Sequence, residues 1–428
     1  MAFTMAGGPI AREPELRIMI RLPSQPTAPD QPLADHRFTI DGSEQLETSI
    51  RETCRDAAHQ LRALIPARRL QGLLLAGGYG RGEGGVHRTP AGEKLYNDLE
   101  FFLLVKGHPW INERRYRDGV HRIETSLSRQ IGIEVEFKIT SAEAIRRSPT
   151  SMFFYDLVMG HRRILGDSSL TRGWDHHRRA DHIPLHEATR LLMNRCSGLL
   201  FSMNRLAMEE FQEPDNDFVQ RNIAKLRLAL GDVMLCRLGQ YHWSCLERNQ
   251  RLQSLDEGIV PFPLEPIRAC HNRGIDFKLW PSVEPRSRSS LTRELTRLLP
   301  LAWQVWRWLE EARLDRKFSE PSEYSLSPVD KCPEVSPVRR VASNLKAFGA
   351  TGLFSSCRYP RERLLNSLPL LLWEPGALRD PTKRKWLCSQ LRTNGRSPLE
   401  TWLPSKMTTR PKRPPIAPAY GRLWTQFN

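Results

Sequence analysis

From Thr48 to about Ala67, apolar residues return every three or four positions (Ile50, Cys54, Ala57, Ala58, Leu61, Leu64), which predicts one helix closed by Pro66. A short unbroken apolar run, Gly72 to Ala76, passes directly into the glycine-rich segment Gly77 to Gly85, the pattern of a buried strand opening into a turn. After a polar loop from His87 to Tyr96, the run Asp98 to Val105 predicts a second strand. Residues 112–130 are polar with helical character, and Ile131 to Ile139 alternates strictly, predicting a third strand. Helix, strand, strand, helix, strand makes an α/β (α+β) layer with a small mixed sheet.

The texture changes near His186. Ala188 to Met208 carries Leu191, Leu192, Cys196, Leu199, Leu200 and Met203 on one stripe, and Asn222 to Arg248 carries Ile223, Leu226, Leu230, Val233, Met234 and Leu238 on another. A third helix is predicted around Leu291 to Leu314, with Trp303, Trp306 and Trp308. These three stripes predict an all-α bundle. Beyond Lys317 prolines, serines and arginines rise, interrupted by one helix-like apolar patch from Leu364 to Trp373. The expected plan is therefore an N-terminal extension over 1–35, with a strand-like piece from Leu16 to Leu22; an α/β domain over 36–175; a helical bundle over 180–318; and a basic, partly disordered region over 319–428.

Composition adds three constraints. The chain's 428 residues exceed what one core usually organises, and 11 tryptophans beside 32 prolines predict well-packed parts joined to irregular ones. Residues 321–428 hold 18 Lys and Arg against 7 Asp and Glu, so +11 of the formal +16 charge lies there, and a basic tail of this kind favours polyanions such as nucleic acid. The eight cysteines (54, 196, 236, 245, 270, 332, 357 and 388) show no metal-knuckle or disulfide spacing and read as reduced thiols. With no apolar leader core and no stretch near the roughly 18 residues needed to span a bilayer, a cytoplasmic protein without a membrane span is expected.

Candidate chemistry follows from the strand pattern. Alternation puts Asp98 and Glu100 on one face of their strand and Glu134 and Glu136 on one face of theirs. Carboxylates gathered this way repel unless a cation sits among them, and hard oxygen donors suit Mg²⁺ or Mn²⁺. A glycine turn leaving the neighbouring strand offers backbone N–H groups to phosphate oxygens. Phosphate on one side and metal on the other describe a nucleoside triphosphate site.

On these elements the chain resembles the minimal nucleotidyltransferases of the DNA polymerase beta superfamily, over about residues 45–170. Gly77-Gly78 matches the family's strand-ending glycine pair, Asp98-Leu99-Glu100 its acidic strand, and Glu134 or Glu136 its third carboxylate. The resemblance implies transfer of a nucleoside monophosphate from NTP, most simply ATP, to an acceptor with release of pyrophosphate. It implies two metals on Asp98 and Glu100, and Glu136 (or Glu134 in its place) completing the acceptor side. It also implies Gly77, Gly78, Gly80 and Arg81 at the phosphates. The sequence departs from the family in an inserted segment, Gly84 to Leu95, and in Glu rather than Asp as second carboxylate.

The acceptor is not legible: sugar phosphate, antibiotic, protein side chain and RNA end all fit. A non-catalytic protein on the same fold, an antitoxin-like partner or a nucleic-acid-associated factor, is the alternative. The cluster Asp175, His176, His177, Asp181, His182, His186, Glu187 reads as a polar linker, because Pro184 breaks the helical spacing of its last two histidines. Arg237 and His242, at the spacing of the HEPN ribonuclease pair, read as ordinary helix residues, and Lys225 and Asp232 as internal ion partners or acceptor-site groups.

Overall fold

The computed structural model describes residues 37–282, 284–349, 358–391 and 418–427. The expectations for the 1–35 extension, including Leu16 to Leu22, and for the Pro/Lys/Arg-rich stretch 392–417 lie outside the described residues.

The predicted first helix is α1 (Glu44–Leu64), with Glu44 and Glu47 in its first turn, where acidic groups favour the helix dipole. The chain continues through β1 (Leu70–Leu75), the single helical turn α2 (Gly77–Gly80), β2 (Val86–Thr89), β3 (Gly92–Leu95) and β4 (Leu99–Val105). It then forms α3 (Pro109–Ile131), β5 (Val135–Thr140), α4 (Ala142–Arg147), α5 (Met152–Met159) and β6 (Arg162–Leu165). The inserted segment is a hairpin, β2 pairing β3. The main sheet has the order β5-β4-β1-β6, with β1 antiparallel to both neighbours and β4 parallel to the edge strand β5.

Its two faces are sorted by the alternation of β4. Leu99, Phe101, Leu103 and Val105 join the core under α1 and α3. Phe102 and Leu104 join a smaller core with Ile145, Leu157, Val158 and Trp174. β5 starts four residues later than its alternation suggests. Ile131 is the last residue of α3, and Gly132, at φ 80°, caps that helix by donating its amide to the Ser128 carbonyl.

The bundle comprises α6 (Leu185–Ala207), α7 (Glu213–Arg237), α8 (Cys245–Gln253), α9 (Glu265–Leu279) and α10 (Arg288–Leu314). The single helix expected over Asn222 to Arg248 is two, because the chain turns at Gly239 (φ 69°) and restarts at the Ser244 N-cap of α8.

The largest departure concerns the region expected to be loose from residue 319. Through Leu391 it folds as α11 (Pro321–Leu326), α12 (Pro337–Phe348), α13 (Pro360–Leu372) and α14 (Pro381–Gln390), and α15 (Pro418–Phe427) follows. Leu364, Leu365, Leu368 and Leu372 of α13 and Tyr420 and Leu423 of α15 belong to the same core as α6 and α7. Its charges are partly consumed inside: Arg340 and Arg358 pair with the buried Glu362, and Lys331 Nζ donates to Asn366 Oδ1 at 2.6 Å. Proline and arginine density signalled irregular chain here, but repeated helix starts at proline and buried leucines decide otherwise.

The sheet domain is bolted to the bundle just after the glycine turn. The buried Glu83 carboxylate accepts from the Ser244 hydroxyl (2.5 Å) and from the Cys245 amide (3.0 Å) at the start of α8, and lies 3.6 Å from Lys278 Nζ. Burial works to raise its pKa, but the Lys278 charge and these donors hold it at about 2. Beside it Arg81 pairs with Asp156 (3.3 Å), whose carboxylate accepts from the Tyr241 hydroxyl at 3.2 Å.

Candidate functional site

The acidic residues predicted to meet do so at the end of the sheet where β4 and β5 begin. Parallel register sets Glu100 directly beside Glu136, and Asp98 immediately precedes β4. Asp98, Glu100 and Glu136 each offer an oxygen within 4.8 Å of the others. Glu134 stands outside this group. It precedes β5, is exposed, and uses its backbone carbonyl to accept from the Leu99 amide, so its side chain begins too far back along the strand. The choice left open between Glu134 and Glu136 thus falls to Glu136. An all-carboxylate donor set of this span suits a hard divalent cation.

The glycine turn lies against these carboxylates. Gly77 has φ 63°, and a β-carbon there would come 3.0 Å from Glu100 Oε2, so glycine alone allows the turn to approach the acid this closely. The amides of Gly77, Gly78 and Tyr79 have no intramolecular acceptor among the described residues, as the first turn of any helix leaves its donors free. Gly80 serves packing instead. A β-carbon there would fall 2.3 Å from the Leu75 carbonyl oxygen, so only glycine lets α2 lie this close to β1.

Arg81 is directed to the bundle. It is engaged by Asp156, by the Gly77 carbonyl (Nε, 3.1 Å) and by the Trp243 carbonyl (Nη1, 3.0 Å), largely out of solvent. Its role is to tie the turn to the bundle. The sequence expectation placed it at the phosphates; in the structure its guanidinium is occupied by these internal bonds.

Cations facing the site come instead from the bundle. Lys225 of α7 lies within the field of Asp98; desolvation of its ammonium end first, then Arg195 of α6 and Arg221 of α7, push its pKa down while Asp98 pulls it up. Neither Lys225 nor Arg195 makes a hydrogen bond or ion pair among the described residues. Arg221 is held by Asp217 at 2.8 Å, and Asp217 in turn accepts from the Tyr96 hydroxyl at 3.1 Å. The site therefore sets carboxylates at the end of the sheet near a lysine of the bundle that has no direct ion-pair partner among the described residues. Helical spacing alone places Lys225 on α7 but not near Asp98, so this approach was invisible in the sequence.

Lys138 was also missed. It lies two positions beyond Glu136 on the same face of β5, and its Nζ sits 3.5 Å from Glu100 Oε1 and 3.5 Å from Glu136 Oε2. The strict alternation of Glu134, Glu136 and Lys138 was the available signal.

The other residues singled out by spacing are structural. Asp232, buried, pairs with Arg248 (2.6 Å) and with His271 Nε2 (3.2 Å). Arg237 stacks over Trp308 at the end of α7, whereas His242 follows that helix and accepts from the Ser244 amide, burial lowering its pKa to about 4. His177 is buried against Phe154, within reach of the Ile145 carbonyl, in the polar stretch between the domains.

Compared with protein-family models, with curated proteins and with solved structures, the chain finds no match. Among the described residues no helix is long and apolar enough to cross a membrane.

Proposed function

We propose that this chain is a metal-dependent nucleotidyltransferase that moves a nucleoside monophosphate from NTP onto an acceptor held between the sheet and the bundle. The observation that carries the reading is the convergence of Asp98, Glu100 and Glu136 beside the Gly77 turn, in the order the polymerase beta superfamily pattern requires. Asp98, Glu100 and Glu136 would hold Mg²⁺ or Mn²⁺. When bound, the metal would neutralise triphosphate charge and lower the pKa of the acceptor oxygen.

The remaining work falls to the chain. Free amides of the Gly77 turn bind phosphate oxygens, and Lys225, within the field of Asp98 and without a direct ion-pair partner among the described residues, receives the outer phosphates. The acceptor oxygen attacks the α-phosphorus in line, the bond to the bridging oxygen breaks, and pyrophosphate carries away the electron pair; Glu136 takes the acceptor's proton. Asp98→Asn is expected to abolish Mg²⁺-dependent label transfer from NTP to acceptors in a cell extract while leaving the melting temperature within a few degrees. Undiminished transfer by that variant would refute the assignment.

One observation favours a second reading, a non-catalytic protein on this fold: Lys138 already supplies a positive charge to two of the three carboxylates. Such a protein would release no pyrophosphate from any of the four ribonucleotides.

A further inference from the structure

The position of Lys138 divides the carboxylate triad into two unequal halves. Glu100 faces two ways: Oε1 is directed to the Lys138 ammonium at 3.5 Å, while Oε2 is the oxygen nearest Gly77. Glu136 joins the first half, its Oε2 3.5 Å from the same ammonium. Asp98 makes no ion pair with Lys138 and lies instead within the field of Lys225, while Glu100 Oε2 lies toward the glycine turn. The lysine is held from behind as well. Its Nζ lies 5.7 Å from the Phe102 ring centre and 5.9 Å from that of Phe153, and Phe102 is fixed in the sheet core. Register makes this placement obligatory, since Lys138 pairs with Phe102 in the same ladder that pairs Glu136 with Glu100.

We infer that Lys138 is a resident cation standing in for the acceptor-side metal, so that the triad takes one divalent ion, on Asp98 and Glu100 beside the Gly77 turn, instead of two. This rests on the metal-site reading proposed above and narrows it. Electrostatics supplies the reason: a second divalent ion between Glu100 and Glu136 would have to approach an ammonium that already offsets half of their combined charge, and like charges at this separation disfavour its entry. Lys138 is in these terms a positioning residue. It offsets the mutual repulsion of Glu100 and Glu136 and sets how many ions the site accepts.

The test is a titration of the full chain with Mn²⁺ alone, read by the loss of the free-ion magnetic resonance signal, so that no catalytic assay enters. Wild type is expected to bind one equivalent, lost in Asp98→Asn. Lys138→Met and Lys138→Gln are expected to bind a second equivalent, or the first at least about tenfold more tightly. Lys138→Arg should keep the wild-type stoichiometry, and thermal melting identifies any variant that fails to fold. Unchanged stoichiometry and affinity in both neutral variants, with binding still lost in Asp98→Asn, would overturn the role of Lys138 and leave the metal site standing. Two equivalents in wild type would likewise overturn it. Absence of Mn²⁺ binding in wild type and in both neutral variants would overturn the metal reading of the triad itself, and this inference with it.

Discussion

Asp98, Glu100 and Glu136 are an instance of side chains whose meeting follows from local rules. Period-two alternation puts the first two on one face, and parallel pairing of neighbouring strands brings in the third. Lys225 is the opposite case. Its position 127 residues after Asp98 gives no hint that the two come near each other, and only the docking of α7 on the sheet domain brings this about. Under the proposed function Lys225→Ala should raise KM for NTP about tenfold or more with a smaller change in kcat, because a lysine contact to the outer phosphates acts in the ground state as well as in the transition state. Steady-state kinetics at fixed Mg²⁺ measure that split; an unchanged KM would remove Lys225 from the phosphate site. Arg81 shows how residue type misleads: an arginine in a glycine turn has the right chemistry for phosphate, yet a carboxylate and two carbonyls from the protein claim it first.

Among elements, the short turn α2 matters most, because one end faces the carboxylates and the residues just beyond it lock onto the bundle. Glu83, three residues past α2, satisfies the N-terminus of α8 as an acid borrowed from another domain. Glu83→Gln leaves the shape but removes the charge that Lys278 faces, and is expected to cost about 2 to 4 kcal/mol in denaturant unfolding. The pH dependence has a definite sign. Glu83 has a folded pKa of about 2, below the 4.5 of a free glutamate side chain. Its contribution is therefore complete above about pH 4.5 and is lost as pH falls toward 2. Wild type should lose stability across that window more steeply than Glu83→Gln, and equal slopes would contradict the buried-charge account. Helix limits at this scale were readable where proline marks them, as at Pro66 just past α1. They were misjudged where a continuous apolar stripe ran on past a turn, as from α7 into α8.

At the scale of the molecule, the C-terminal region changes from an appendage into part of the core. Tyr420 is fully buried, with its hydroxyl 2.7 Å from Ser197 Oγ of α6, and Leu423 is fully buried beside it. Removing residues 392–428 should expose those faces of α6 and α13 and lower stability by about 3 to 6 kcal/mol, the scale of two large side chains leaving a core. Thermal melting of the truncated chain checks this; an unchanged midpoint would show that α15 adds nothing to the fold. The same truncation separates two effects of the region's basic character, because Lys331, Arg340 and Arg358 are spent on internal partners whereas the removed segment carries other charges.

By itself the sequence determined the α/β and helical halves, the strands that bear the acids, the glycine turn and the inserted hairpin, because each depends on spacing within a few residues. Tertiary structure alone decided that Glu136 rather than Glu134 joins Asp98 and Glu100, that Lys138 bridges two of the three, that Arg81 is internal, and that Lys225 lies within the field of Asp98. It also decided that the described parts of the C-terminal region, residues 319–349, 358–391 and 418–427, pack into the core. These outcomes depend on contacts between segments far apart in the chain, where burial and charge pairing override local composition.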